Sequence, residues 1–124
     1  MNQAKLLMSK LYSYKDLQFP VADETDVYFS VELISDGNII YTAINVPGDN
    51  DQQIEDAGTV FIGKGKDLRS ETTFCFSRIV NLVPKEEDIR IQYKCNDQIL
   101  TEHFNPKSEE KRPYVVLCIK FPFL

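Results

Sequence analysis

His103 is the only histidine in the 124 residues, and the three cysteines, Cys75, Cys95 and Cys118, form no C-x-x-C pair. One histidine excludes any metal site that needs two imidazole ligands from a single chain. A cysteine nucleophile needs a base beside its sulfur to take the proton. Strand pairing predicts Cys95 opposite Gln98, and His103 opposite Arg90 on a polar face. A positive neighbour lowers the proton affinity of an imidazole. Cysteine catalysis is therefore not expected. Each thiol stands in a run that reads as buried strand, and an odd number of core-facing thiols fits reduced cysteines in a cytoplasmic protein.

The carboxylates offer different chemistry. Asp49, Asp51 and Asp56 lie in the polar stretch 47–58, and their oxygens are the hard donors that calcium prefers. Asp23, Glu24 and Asp26 join them if the strands bring both loops to one end. Counted from Asp49, the stretch lacks the sixth-position glycine and twelfth-position glutamate of an EF-hand loop. No cofactor is expected; the alternative is calcium at Asp49, Asp51 and Asp56. The remaining carboxylates fall in loops or on exposed strand faces, where nothing raises a pKa for acid catalysis.

From Gly58 to Lys64 the spacing matches a phosphate-binding loop until position 65, where Gly replaces the hydroxyl that would meet magnesium. Thr59–Ile62 moreover reads as strand, not as a loop able to wrap a phosphate. The smaller expectation is a cationic turn, Lys64, Lys66 and Arg69, able to grip an acidic protein surface.

Charge is unevenly spread over a net −5. Residues 1–15 carry Lys5, Lys10 and Lys15 without an acid, and residues 16–63 carry ten acids without a base. An acidic middle repels nucleic-acid phosphates, so a nucleic-acid partner is excluded. No apolar run approaches the roughly 20 residues of a membrane-spanning helix, three lysines make a weak basic face for a membrane surface, and Leu6-Leu7-Met8 is too short for a secretory signal.

Positioning these groups falls to strands. Ala4, Leu7, Met8 and Leu11 have helical spacing, which predicts one short helix over 2–12. Tyr14–Phe19 reads as an extended arm or edge strand. From Val27 onward the period is two. Asp36-Gly37 between two β-rich runs predicts a hairpin, and Asn96-Asp97 predicts another. A single helical turn is expected at 51–56. The alternation in 71–82 slips between Phe76 and Ile79, which suggests a bulge at Ser77-Arg78. Tyr114–Phe121, apolar on both faces, reads as a central strand.

The expected fold is one all-β domain over 1–124, an antiparallel β-sandwich of seven or eight strands with a short N-terminal helix; a small β-barrel is the alternative. Residues 1–15 form its arm and 122–124 an apolar tail. A chain of this length buries roughly two-thirds of its unfolded surface, enough to fold without metal or disulfide. Many unrelated proteins share a sandwich, so the fold alone licenses no function. The expected function is non-enzymatic interaction or assembly, with the chain binding itself or a protein partner through complementary charges and apolar termini. Leu7, Leu11, Phe123 and Leu124 are the expected anchors, and Lys64, Lys66 and Arg69 the expected charges. A calcium-dependent binding module is the alternative, and a small hydrolase with a loop-borne site the third reading.

Overall fold

Between Asp26 and Leu33 every second side chain is enclosed: Val27, Phe29 and Val31 are buried. The same period governs most of the chain. The computed structural model describes residues 9–34, 38–48, 51–81, 88–105 and 112–124. Within them lie nine strands and one helical turn: β1 (Ser9–Gln18), β2 (Asp26–Leu33), β3 (Asn38–Asn45), β4 (Gln52–Glu55), β5 (Gly58–Lys64), α1 (Gly65–Leu68), β6 (Thr73–Asn81), β7 (Ile89–Cys95), β8 (Gln98–Asn105) and β9 (Arg112–Lys120). One sheet has the order β1-β9-β6-β3-β4 and the other β5-β2-β7-β8. Their inner faces share a core, with Phe29, Val31, Ile91 and Tyr93 from the four-stranded sheet and Ile40, Ile44, Ile79, Val115 and Leu117 from the other. The sheets do not close into a barrel.

The two-sheet, nearly all-β expectation holds at this level, and several details do not. The strand count is nine: Tyr14–Gln18 belong to an edge strand, the eighth of the expected set, and the short β4 is the addition. The sandwich is not wholly antiparallel: β1 runs parallel to β9, a pairing that needs a long crossover and obtains it from almost the whole chain. Ser9–Tyr12, expected in a helix, belong to β1 and pair with Arg112–Val115. A helix of eleven residues is marginal in water, and the open edge of β9 offers a full ladder instead. Residues 1–8 lie outside the described residues. The one described helix, α1, follows β5.

Asp36-Gly37 also lie outside the described residues, but the strands on either side do not form the expected hairpin. β2 pairs with β5 and β7, while β3 pairs with β4 and β6. β2 and β3 belong to different sheets. The stretch 51–56 holds β4, not a helical turn: Gln52–Glu55 pair with Tyr41–Ile44. Asp56, with φ 62°, then turns the chain toward β5 in the other sheet.

No bulge interrupts β6, whose register with β3 is continuous from Phe74 to Asn81. Thr73, Cys75, Ser77 and Ile79 point inward, so Phe74, Phe76 and Arg78 point outward. The irregularity lies in β8. Cys95 faces Gln98 as expected, but the register then shifts by one, and Ile91 faces His103. Leu100 is the extra residue, so His103 moves from the polar face to the interior, where it is 1% exposed. Of the thiols expected in the core, Cys75 and Cys95 are buried, while Cys118 is half-buried on the outer face of β9.

Candidate docking face on the five-stranded sheet

The cationic turn is engaged within its own chain. Lys64 Nζ donates to Asp26 Oδ1 at 3.1 Å and Lys66 Nζ lies 2.9 Å from Glu24 Oε2. That Lys66 contact holds the Glu24 carboxyl below its ordinary value. Arg69 is more deeply set. Its guanidinium donates to the Phe121 carbonyl at 2.8 Å, to the Val21 carbonyl at 3.2 Å and to Asp23 Oδ1, and it stands 4.0 Å over the Phe123 ring. The backbone amides of Gly65 and Lys66 are taken by the Thr25 and Asp23 carbonyls, each at 3.0 Å. A Cβ at Gly65 would stand 2.2 Å from the Ala22 carbonyl oxygen. Glycine at 65 thus lets the loop 21–25 lie on α1, and the first two amides of that turn are engaged within the chain. The acidic loop and the cationic turn, expected to face partners, largely face each other.

Of the proposed calcium ligands, Asp51 and Asp56 are not brought together. Asp51 precedes β4 and Asp56 follows it, a separation of about 16 Å of extended chain. Asp51 Oδ1 accepts the Val46 amide at 3.1 Å and so closes its own loop. Asp49 lies outside the described residues. Asp23, Glu24 and Asp26 stand at the α1 end with the cations. Among the described residues no three His, Cys, Asp or Glu side chains are grouped as metal ligands.

Burial also sets the chemistry of the remaining titratable groups. The Cys75 thiol is pushed well up by desolvation, and that of Cys95 to about 12. A thiol held protonated is a poor nucleophile. His103 is pushed down to about 4 by desolvation. Its Nδ1 is 2.8 Å from the Tyr14 hydroxyl, and its ring lies 4.4 Å from that of Tyr12. These contacts tie the edge strand β1 to β8 across the sandwich.

The outer face of the five-stranded sheet is different in kind. Register and burial arrange it in rows across β1, β9, β6, β3 and β4. The first row is Leu11, Tyr114, Arg78, Tyr41 and Glu55. The second is Ser13, Val116, Phe76, Ala43 and Gln53. In the third, Cys118, Phe74 and Asn45 lie between Lys15, near the β1 bulge, and Asp51, just before β4. Apolar groups therefore concentrate on the adjacent strands β9 and β6. Leu11 is 59% exposed, Phe74 49% and Phe76 43%. Phe76 stacks on Tyr114 with ring centroids 5.5 Å apart, and Arg78 lies 4.8 Å from the Tyr41 ring centroid. A hollow of about 560 Å³ lies over β3 and β4, bordered by Tyr41, Ala43, Glu55 and Phe76.

The outer face of the other sheet is mixed: the Tyr28–Phe61 pair, Ile99 and Phe104 are exposed there, set apart by polar and charged groups. Ser30 bonds to Thr59, Gln92 to Glu102, Lys94 pairs with Glu32, and Arg90 lies over Phe104.

The expected anchors are thus dispersed. Leu11 belongs to the apolar face, and Leu7 lies outside the described residues. Phe123 is 71% exposed but lies under Arg69, and Leu124 is 88% exposed. The tail is held just before them: Phe19 and Val21 amides donate to the Lys120 and Pro122 carbonyls. Sequence reasoning missed Phe74, Phe76 and Tyr114. The signal was the parity of Cys75 and Ile79, which sends both phenylalanines outward if Ser77 is accepted as a core residue. No helix among the described residues is long and apolar enough to cross a membrane. Comparison with protein-family models, with curated proteins and with solved structures finds no match for this chain in any of the three.

Proposed function

We propose that this protein is a non-enzymatic binding and assembly module that docks through the outer face of its five-stranded sheet. One observation carries the reading: Phe74, Phe76 and Leu11 are exposed side by side around Tyr114, Val116 and Cys118, whereas on the opposite outer face the exposed Tyr28–Phe61 pair, Ile99 and Phe104 are set apart by Ser30, Thr59, Lys94, Gln92 and Glu102. Contiguous exposed apolar surface with a polar rim is the usual mark of an interaction site. Burying one such aromatic side chain is worth roughly 2–3 kcal/mol, whereas an exposed ion pair contributes at most about 1 kcal/mol and is screened by salt. The apolar centre therefore supplies affinity, and Lys15, Arg78 and Glu55 at its margins supply orientation.

A photo-crosslinking residue placed at Phe76, and separately at Phe104 on the other sheet, tests this in cells. Protein adducts at position 76 and none at 104 are expected. Equal labelling at both positions, or none at either, would overturn the assignment.

A further inference from the structure

We infer that the occupant of this face is a second copy of the chain, related by a two-fold axis that runs along the strands between β6 and β9. The inference rests on the docking-face reading and adds its partner. A two-fold interface uses the same patch twice, so the patch must complement itself.

Three features meet that condition. The axis lays β9 of one copy over β6 of the other, so Phe76 meets Val116 and Phe74 meets Cys118, apolar against apolar. It also lays β1 over β3. Leu11, the most exposed apolar side chain on the face, then enters the hollow bordered by Tyr41, Ala43 and Phe76. Knob and hollow lie at the same row level, toward opposite edges of one sheet. Lastly, charge is divided between the edges, with Lys15 on β1 and Asp51 and Glu55 at β4. The rotation brings the cationic edge of each copy over Asn45, beside the acidic edge of the other. An unrelated partner would have to supply the matching pattern, whereas this chain carries both halves.

The axis superposes four strands of each copy and carries β4 past the edge strand β1 of the other. Strands spaced about 4.8 Å apart and about seven residues long give an overlap of roughly 19 by 22 Å. Two such faces remove about 850 Å², the size of a weak interface. A weak, reversible dimer is therefore expected.

Sedimentation velocity over a concentration series should show monomer passing to dimer. Leu11→Glu and Phe76→Ser should each weaken the dimer at least about 30-fold, as central contacts do, with circular dichroism unchanged. Phe104→Asp, on the opposite sheet, should leave it intact. Labelling of Cys118 should slow as concentration rises in the parent chain and stay fast in Leu11→Glu. In a Cys118→Ser background, a chain bearing Leu11→Cys mixed with one bearing Tyr41→Cys should be joined by a short bis-maleimide. Within one chain these positions lie about 14 Å apart across three strand spacings.

A chain that stays monomeric at every concentration, with Cys118 labelling constant, overturns the second copy. If position 76 then crosslinks to a different protein, the docking face stands without its self-partner. A dimer broken by Phe104→Asp and indifferent to Leu11→Glu overturns both.

Discussion

The Tyr93 hydroxyl reaches across the sandwich and donates to Ser77 Oγ at 2.9 Å, and Ser77 shares a 2.8 Å hydrogen bond with Thr42. All three side chains are buried. This chain of hydroxyls makes a serine acceptable inside β6, and so decides that Phe74 and Phe76 face out. Ser77→Ala should leave two buried hydroxyls short of a partner and cost about 1–3 kcal/mol. Tyr93→Phe keeps the Ser77–Thr42 bond and should cost about 1 kcal/mol. Urea denaturation with unchanged m-values checks both, and the double variant should cost less than the sum.

His103 makes stability pH-dependent. Desolvation holds its folded pKa at about 4, below the unfolded value of about 6.5. The neutral ring is favoured in the fold, so its contribution is complete above pH 6.5 and is lost as pH falls toward 4. The slope is at most about 1.4 kcal/mol per pH unit for one proton. His103→Gln should flatten the stability profile between those limits relative to the parent. Parallel profiles would mean that the ring does not titrate between the two states.

Gly65 is needed for close approach, not for a ligand. Gly65→Ala should destabilise by about 1–3 kcal/mol by forcing its Cβ into the Ala22 carbonyl. Thermal unfolding reads the effect, and added phosphate should not change it.

In the β7–β8 turn, Asn96 and Asp97 hold φ values of 48° and 66°. Asn96 is engaged by its side chain, which accepts from the Tyr28 amide at 2.8 Å and donates to the Asp26 carbonyl. Asp97 is exposed. Asp97→Gly should therefore stabilise by about 0.5–1 kcal/mol by removing left-handed strain, and Asp97→Val should destabilise. Chemical denaturation distinguishes the two signs.

Arg69 should matter far more than its cationic neighbours. It links Val21, Asp23 and Phe121 while half-buried, so Arg69→Met should cost about 2 kcal/mol or more. Lys64→Met breaks one exposed pair and should change stability by less than about 1 kcal/mol. Equal losses in a denaturant series would contradict this ranking.

Period-two patterning by itself determined the all-β class, most of the strands, the Asn96-Asp97 turn and the core residues of β2 and β7, while β9, apolar on both sides, left its buried face to the fold. These are local properties: alternation assigns faces, and turn residues with positive φ mark reversals. Tertiary structure alone decided which strands became neighbours. Asp36-Gly37 between two β-rich runs reads as a turn, but nothing local says whether the next strand joins the same sheet or the other. Leu11 could not be read as a strand residue until β9 offered an edge. The one-residue shift at Leu100 turned His103 inward, and the hydroxyls of Thr42 and Tyr93, distant in sequence, made Ser77 a core residue. The acidic and cationic segments were legible as charges, but only folding brought residues 23–26 onto 64–69, so that they neutralise each other. The exposure of the apolar face of β6 and β9 was likewise a tertiary outcome, because outward parity on those strands depends on partners that lie elsewhere in the chain.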